Sequence, residues 1–190
     1  MVKWVTACTA VICSLLLVYF NSVWNLTPLP KAVGRVMHEL NVSSERAAVA
    51  AALAAQDPAS RITLPVLGAS LDDIVDTYGA PRGADRTHEG IDIFATRGTY
   101  VVSATPGVVA RIGTNRLGGN IVFVLGPGGE RYYYAHLDSV DPVLKVGQPV
   151  STTTVLGRVG TTGNAAGTPP HLHFGIYRTG GTTNPYERLR

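Results

Sequence analysis

Two histidines stand one residue apart in PPHLHFGIY, residues 169–177, inside a stretch that otherwise reads as a buried strand. In an extended chain residues i and i+2 point to the same face. His171 and His173 therefore lean into one patch, where two protonated rings would repel each other. Such a patch suits neutral imidazole nitrogen, and a metal ion is the partner that wants it. His88 lies in RTHEGIDIFA, with Asp92 four positions on. If that segment is extended, positions 88, 90 and 92 share a face that the small Gly90 leaves open. His136 ends the aromatic run YYYAHL. Four of the five histidines and one aspartate thus fall at strand positions beside glycine-rich turns. The fifth, His38, sits away from any other ligand type and reads as an incidental surface residue.

The chemistry that fits these groups is a zinc site with three protein ligands and one open position, which lowers the pKa of water toward roughly 7. A structural zinc would close its shell with four ligands, usually rich in cysteine. Five candidate groups exceed what a catalytic ion needs, so spare imidazoles remain to handle protons. Spacing alone permits either His171 or His173 to be the ligand of that pair. No HExxH helix is present, which excludes the common helix-borne metalloprotease arrangement. The two cysteines, Cys8 and Cys13, lie in an apolar N-terminal run, so the remainder has neither a disulfide framework nor thiolate ligands.

The elements that must position these groups are short and β-rich. Charged residues are only 15% of the 190, while Gly numbers 21 and Pro 12, a turn-rich composition better suited to short strands than to helical bundles. ITLPVLG reads as a strand and LDDIVDTYG as a short helical or irregular turn. GTYVVSA, GVVARIG, GNIVFVLG, ERYYYAHL, TVLGRVG and HLHFGIY follow, with Gly126-Pro127-Gly128-Gly129 joining two of them as a hairpin. Residues 61–190 are expected to form one mainly β, predominantly antiparallel domain. Before it, Ser43 or Ser44 caps a helix through ERAAVAAALAAQ, a spacer or docking helix within residues 25–60.

From Trp4 to Trp24 no residue is charged, and Lys3 precedes the run. A bilayer core needs roughly 20 mostly apolar helical residues, so residues 1–24 are expected to form a membrane anchor. A cleaved signal is the other reading, but no small-x-small cleavage site follows the apolar core. The formal charge of +3 favours an anionic neighbour. No Lys/Arg run of the kind that tracks nucleic acid is present, and no nucleic-acid partner is expected.

Over about residues 64–187 the sequence resembles the zinc peptidases of the lysostaphin and LytM type, which cut peptide bonds in bacterial peptidoglycan. The motifs carrying the resemblance are YGAPR, HEGIDIFA, GTYVVSATPGVVARIG, GGNIVFVLG, YYYAHL, VGQPV, LGRVGTTGNAAGTPPHLHFGIY and NPY. It implies a two-layer antiparallel β-sheet fold of the duplicated hybrid motif type, with the site in a groove. It also implies one zinc ion per chain held by His88, Asp92 and His173, with His136 and His171 unligated beside it as the catalytic pair. Asn120 and Arg82 match positions that recur near the groove, and Gly163, Gly167, Pro169 and Pro170 shape the loop before the HxH strand.

The function expected from the resemblance is a zinc metalloendopeptidase acting on peptidoglycan cross-links or stem peptides. The N-terminal run adds a single pass through the cytoplasmic membrane, with the catalytic domain on the periplasmic or extracellular side. The alternative is a non-catalytic LytM-type regulator that activates cell-wall amidases. Such relatives have lost zinc ligands, whereas here every expected group is present.

Overall fold

The computed structural model describes residues 44–82 and 86–189. The expected membrane anchor and His38 lie outside these residues. Among the described residues no helix is long and apolar enough to cross a membrane. A helix over residues 44–54 occupies the alanine-rich segment. It meets the β domain where Ala54 and Pro58 lie against Gly129 and Gly128, and where Arg46 donates to the Val146 carbonyl at 3.2 Å.

The strands are β1 (Ile74–Val75), β2 (Ile91–Phe94), β3 (Tyr100–Val102), β4 (Gly107–Asn115), β5 (Gly119–Leu125), β6 (Arg131–Leu137), β7 (Ser139–Val140), β8 (Pro149–Val150), β9 (Val155–Arg158), β10 (His171–Arg178) and β11 (Gly181–Thr183). One sheet runs β1-β2-β10-β6-β5-β4-β8, with β11 paired to the far end of β10; a smaller sheet runs β3-β9-β7. All of these pairings are antiparallel. The stretch ITLPVLG, expected as a strand, forms only an isolated bridge from Val66 to Val101. Pro65 has no N–H to give a ladder, and its carbonyl instead accepts the Val102 N–H at 2.8 Å.

Period-two alternation sorts the larger sheet into two faces. Ile91 and Ile93 of β2, Tyr132 and Tyr134 of β6, and Leu172, Phe174 and Ile176 of β10 enter one core with Val101 and Leu156 of the smaller sheet. This gives the two-layer packing. The opposite face of the larger sheet carries Tyr133 and Ala135, with Phe123 and Tyr177 against them. The turn at Pro127–Gly129 joins β5 to β6 as expected, with Gly128 and Gly129 both at φ 69°. Most side chains pay a steric penalty in that left-handed region, and glycine does not.

Glu130, 1% exposed, immediately precedes β6 and is gripped from the C-terminal segment. Arg188 donates to its Oε2 and Oε1 at 2.5 and 2.9 Å, and the Tyr132 hydroxyl donates to Oε2 at 3.0 Å. Removing one partner of such a pair strands a buried charge, at about 3 kcal/mol. Arg188→Ala is therefore expected to lose on the order of 3 kcal/mol in urea denaturation. Adding Glu130→Gln to that variant should recover part of the loss; an Arg188→Ala midpoint equal to the parent's would refute the clamp.

Candidate active site

The sheet register brings the chemistry together. His173 on β10 stands directly opposite Asp92 on β2 and Ala135 on β6. All three lie on the face away from the core, so the Asp92 carboxylate and the His173 ring are cross-strand neighbours. His88 enters from the segment before β2, which a bridge between Pro81 and Thr87 and the His88 N–H to Ala80 carbonyl bond hold in place. The His88 Nε2 and His173 Nδ1 atoms are 2.8 Å apart, and Asp92 Oδ1 lies 3.2 Å from His173 Nδ1 and 3.3 Å from His88 Nε2.

Three donor atoms at these separations fit one metal ion. Ligands 2.0–2.1 Å from a tetrahedral zinc stand about 3.3 Å from each other. The protonation of His88 agrees. Its Nδ1 lies 3.1 Å from the Thr77 carbonyl, which can only accept, and 2.7 Å from Thr77 Oγ1. The proton therefore sits on Nδ1 and the Nε2 lone pair faces the cluster, as expected of a metal-binding imidazole with an outer partner. Arg82 also approaches Nδ1 at 3.1 Å, but two donors face each other there. Its guanidinium bonds instead to Asp92 Oδ2 at 2.7 Å, leaving Oδ1 for the cluster. Gly90 completes the cradle: a Cβ there would lie 2.4 Å from the Phe174 carbonyl oxygen and 2.9 Å from the His173 ring.

The sequence profile of Peptidase family M23 matches residues 86–185, more than half of the chain. The chain belongs to this family. It is 40% identical over 125 residues to the L-Ala--D-Glu endopeptidase of Bacillus subtilis, covering 60% of this chain and 38% of that protein. It is 32% identical over 103 residues to the peptidoglycan DD-endopeptidase ShyC of Vibrio cholerae, covering 54% and 23% respectively. The chain thus spans well under half the length of these relatives. The catalytic domain of lysostaphin from Staphylococcus simulans superposes with a TM-score of 0.53 at 30% identity, over 60% of this chain and 91% of that one.

The M23 site carries two further imidazoles beside the three-atom cluster. His171 Nε2 is 4.0 Å from Asp92 Oδ1, and its Nδ1 donates to the Pro169 carbonyl at 2.8 Å. His136 Nδ1 donates to the Thr162 carbonyl at 2.9 Å, and its ring centre lies 5.0 Å from that of His171 and 5.8 Å from that of His173. Each of the two therefore keeps Nε2 for other work. Burial, reinforced by the His173 charge, pushes the His136 pKa down to about 4, so the ring is neutral at pH 7. Burial likewise lowers His173. Burial opposes ionisation of Asp92, yet the neighbouring His173 and His88 imidazoles hold its carboxyl well below the ordinary carboxylate range.

His136 reaches the site by breaking the alternation of its strand. Regular pleating after Ala135 would turn it toward the core. Its φ is 62°, so the backbone swings left-handed there, and the β5–β6 register shifts alongside. A non-glycine residue seldom takes that conformation. The kink is held by the His136 N–H to Gly118 carbonyl bond at 2.7 Å. Thr162 Oγ1 reinforces it, donating to the Leu137 carbonyl and accepting the Asn120 N–H, each at 2.9 Å. Asn120 spends its amide on the Leu137 and Asp138 carbonyls, so it acts on backbone. Thr77 lies outside every family-like motif, and Thr162 lies inside one with nothing in its residue type to single it out. Arg82 was marked only as a position near the groove.

The strain at position 136 gives a measurable signature. An L-residue held left-handed costs about 1–2 kcal/mol that glycine avoids, partly offset by glycine's greater entropy loss. His136→Gly should be more stable than His136→Ala by roughly 1 kcal/mol in denaturant titration. The reverse order would show that the backbone at 136 is not held left-handed.

Proposed function

We propose that this M23 chain is a zinc-dependent endopeptidase that hydrolyses peptide cross-links or stem peptides of bacterial peptidoglycan. The observation that carries the reading is the convergence of His88, Asp92 and His173 on one point, with the Nε2 atoms of His136 and His171 left over beside it. In this reading the first three side chains hold the ion. A bound zinc ion supplies Lewis-acid polarisation of the scissile carbonyl and of water. His136, neutral at pH 7, offers its Nε2 lone pair to the proton released in the attack and returns it to the leaving amine. His171, its Nδ1 held by the Pro169 carbonyl, stabilises the oxygen on which negative charge develops when its Nε2 carries a proton. Arg82 and Thr77 keep Asp92 and His88 in the orientations the ion needs. The relatives named for L-Ala--D-Glu and DD bonds support a peptidoglycan substrate. A regulator that acts by docking alone has no use for five such groups in one cleft.

The roles separate cleanly by mutation. Asp92→Ala is expected to lose the metal, while His136→Ala and His171→Ala retain it. Each of these two should release soluble fragments from cell-wall sacculi on the order of a hundredfold more slowly. Metal analysis of the purified variants, paired with fragment release, checks both halves. Stoichiometric zinc in Asp92→Ala would overturn the ligand set, and full activity after chelation would overturn the zinc requirement.

The same proposal puts the domain outside the cytoplasmic membrane, anchored by the uncharged run from Trp4 to Trp24. The intact chain should stay with membranes through alkaline carbonate extraction, and a chain lacking residues 1–24 should not. An intact chain recovered in the soluble fraction would refute the anchor.

A further inference from the structure

The cleft around the metal-binding group has a volume of about 1100 Å³, and its charges are unevenly spent. Its lining carboxylates are Glu89 and Asp92. Asp92 is engaged by Arg82 and the histidines, and Glu89 interacts electrostatically with the Tyr177 hydroxyl. Two more arginines, Arg86 and Arg116, line the same cleft with exposed side chains. Among the described residues neither has an ion-pair partner.

Both arginines stand on fixed backbone. Arg86 precedes β2, and its carbonyl accepts the Arg82 N–H at 2.8 Å. Arg116 rides the turn between β4 and β5, where Asn115 Oδ1 accepts the Leu117 and Gly118 N–H groups at 3.0 and 2.6 Å. That turn is tied to the site, because the Gly118 carbonyl accepts the His136 N–H. In the sheet β2 and β5 are separated by β10 and β6, which carry the histidines between them. Three strand spacings amount to about 14 Å, the length of roughly four residues of extended chain.

We propose that this cleft selects a peptide bearing free carboxylates on both sides of the scissile bond, one taken by Arg86 and the other by Arg116. The proposal rests on the peptidase reading of the cleft and deepens it. Guanidinium groups match carboxylates in shape and charge, whereas an uncharged oligoglycine bridge gives them nothing to bind. A divalent ion in the cluster would make the cleft more positive still, favouring an anionic peptide over a neutral one.

The test is equilibrium binding, so that turnover does not enter. Full-length protein stripped of metal is titrated against three peptides, each C-terminally amidated and labelled with an uncharged dye: a stem tetrapeptide with free side carboxylates, the same peptide with those carboxylates amidated, and tetraglycine. The free-carboxylate peptide should bind about tenfold more tightly than either neutral one, and the preference should shrink as salt is raised. Arg86→Gln and Arg116→Gln should each weaken the free-carboxylate peptide about three- to tenfold and leave the amidated one unchanged. Equal binding of the free and amidated peptides, no binding of any, or equal losses for both in the two variants would overturn the proposal. Metal-loaded protein separates the two readings. Hydrolysis of free and amidated peptides at equal rates would sink the carboxylate preference alone. Selective binding without hydrolysis would sink the peptidase reading and leave the carboxylate cleft standing.

Discussion

The ladder between β2 and β10 sets where everything else in the cleft can be. It pairs His173 with Asp92, and because side chains alternate along a strand, the same register sends Ile91, Ile93, Leu172, Phe174 and Ile176 into the core. A slip of one residue would bury the carboxylate and imidazole and expose the aliphatic set. Burial of the core thus enforces the geometry of the polar face. The hydrophobic effect, which has no directional preference of its own, acts here as the force that aligns a carboxylate and an imidazole to within 3.2 Å.

Around that pairing the structure supplies a second layer of hydrogen bonds that decides where protons sit. The Thr77, Pro169 and Thr162 carbonyls each accept from the Nδ1 of one histidine. Carbonyls cannot donate, so all three rings present an unprotonated Nε2 when neutral. The choice is made by backbone, which does not titrate. Arg82 plays the matching part for Asp92, occupying one carboxylate oxygen and leaving the other for the cluster.

Residues whose geometry follows from period-two alternation were legible from the sequence. His171 and His173 share a face because they stand two positions apart along the strand, and the hairpin at Gly126–Gly129 followed from glycine and proline spacing. Asp92 joined them because its own strand alternates in phase. His136 was recognised as a candidate only by its histidine identity and its place in a family-like motif. Its route to the cleft depends on a left-handed residue and a register shift that no alternation pattern encodes. ITLPVLG shows the opposite failure, an apolar run with strand-like texture that Pro65 prevents from joining a ladder. Thr77 and Thr162 were invisible because they act through carbonyls or generic hydroxyls, and a chain of letters gives such groups no distinctive mark.

Strand β6 is fastened at both ends by bonds outside its ladders. At its start Glu130 is held by Arg188 and Tyr132; near its end the His136 ring and the Leu137 carbonyl are held by Thr162. A shift by two residues would keep every side chain on its own face, so burial alone resists it weakly. The paired fastenings forbid it, because each would have to let go at once. The strand therefore behaves like a tensioned cord pegged at head and foot, and Arg188, through Glu130, helps keep the His136 ring from drifting along the sheet.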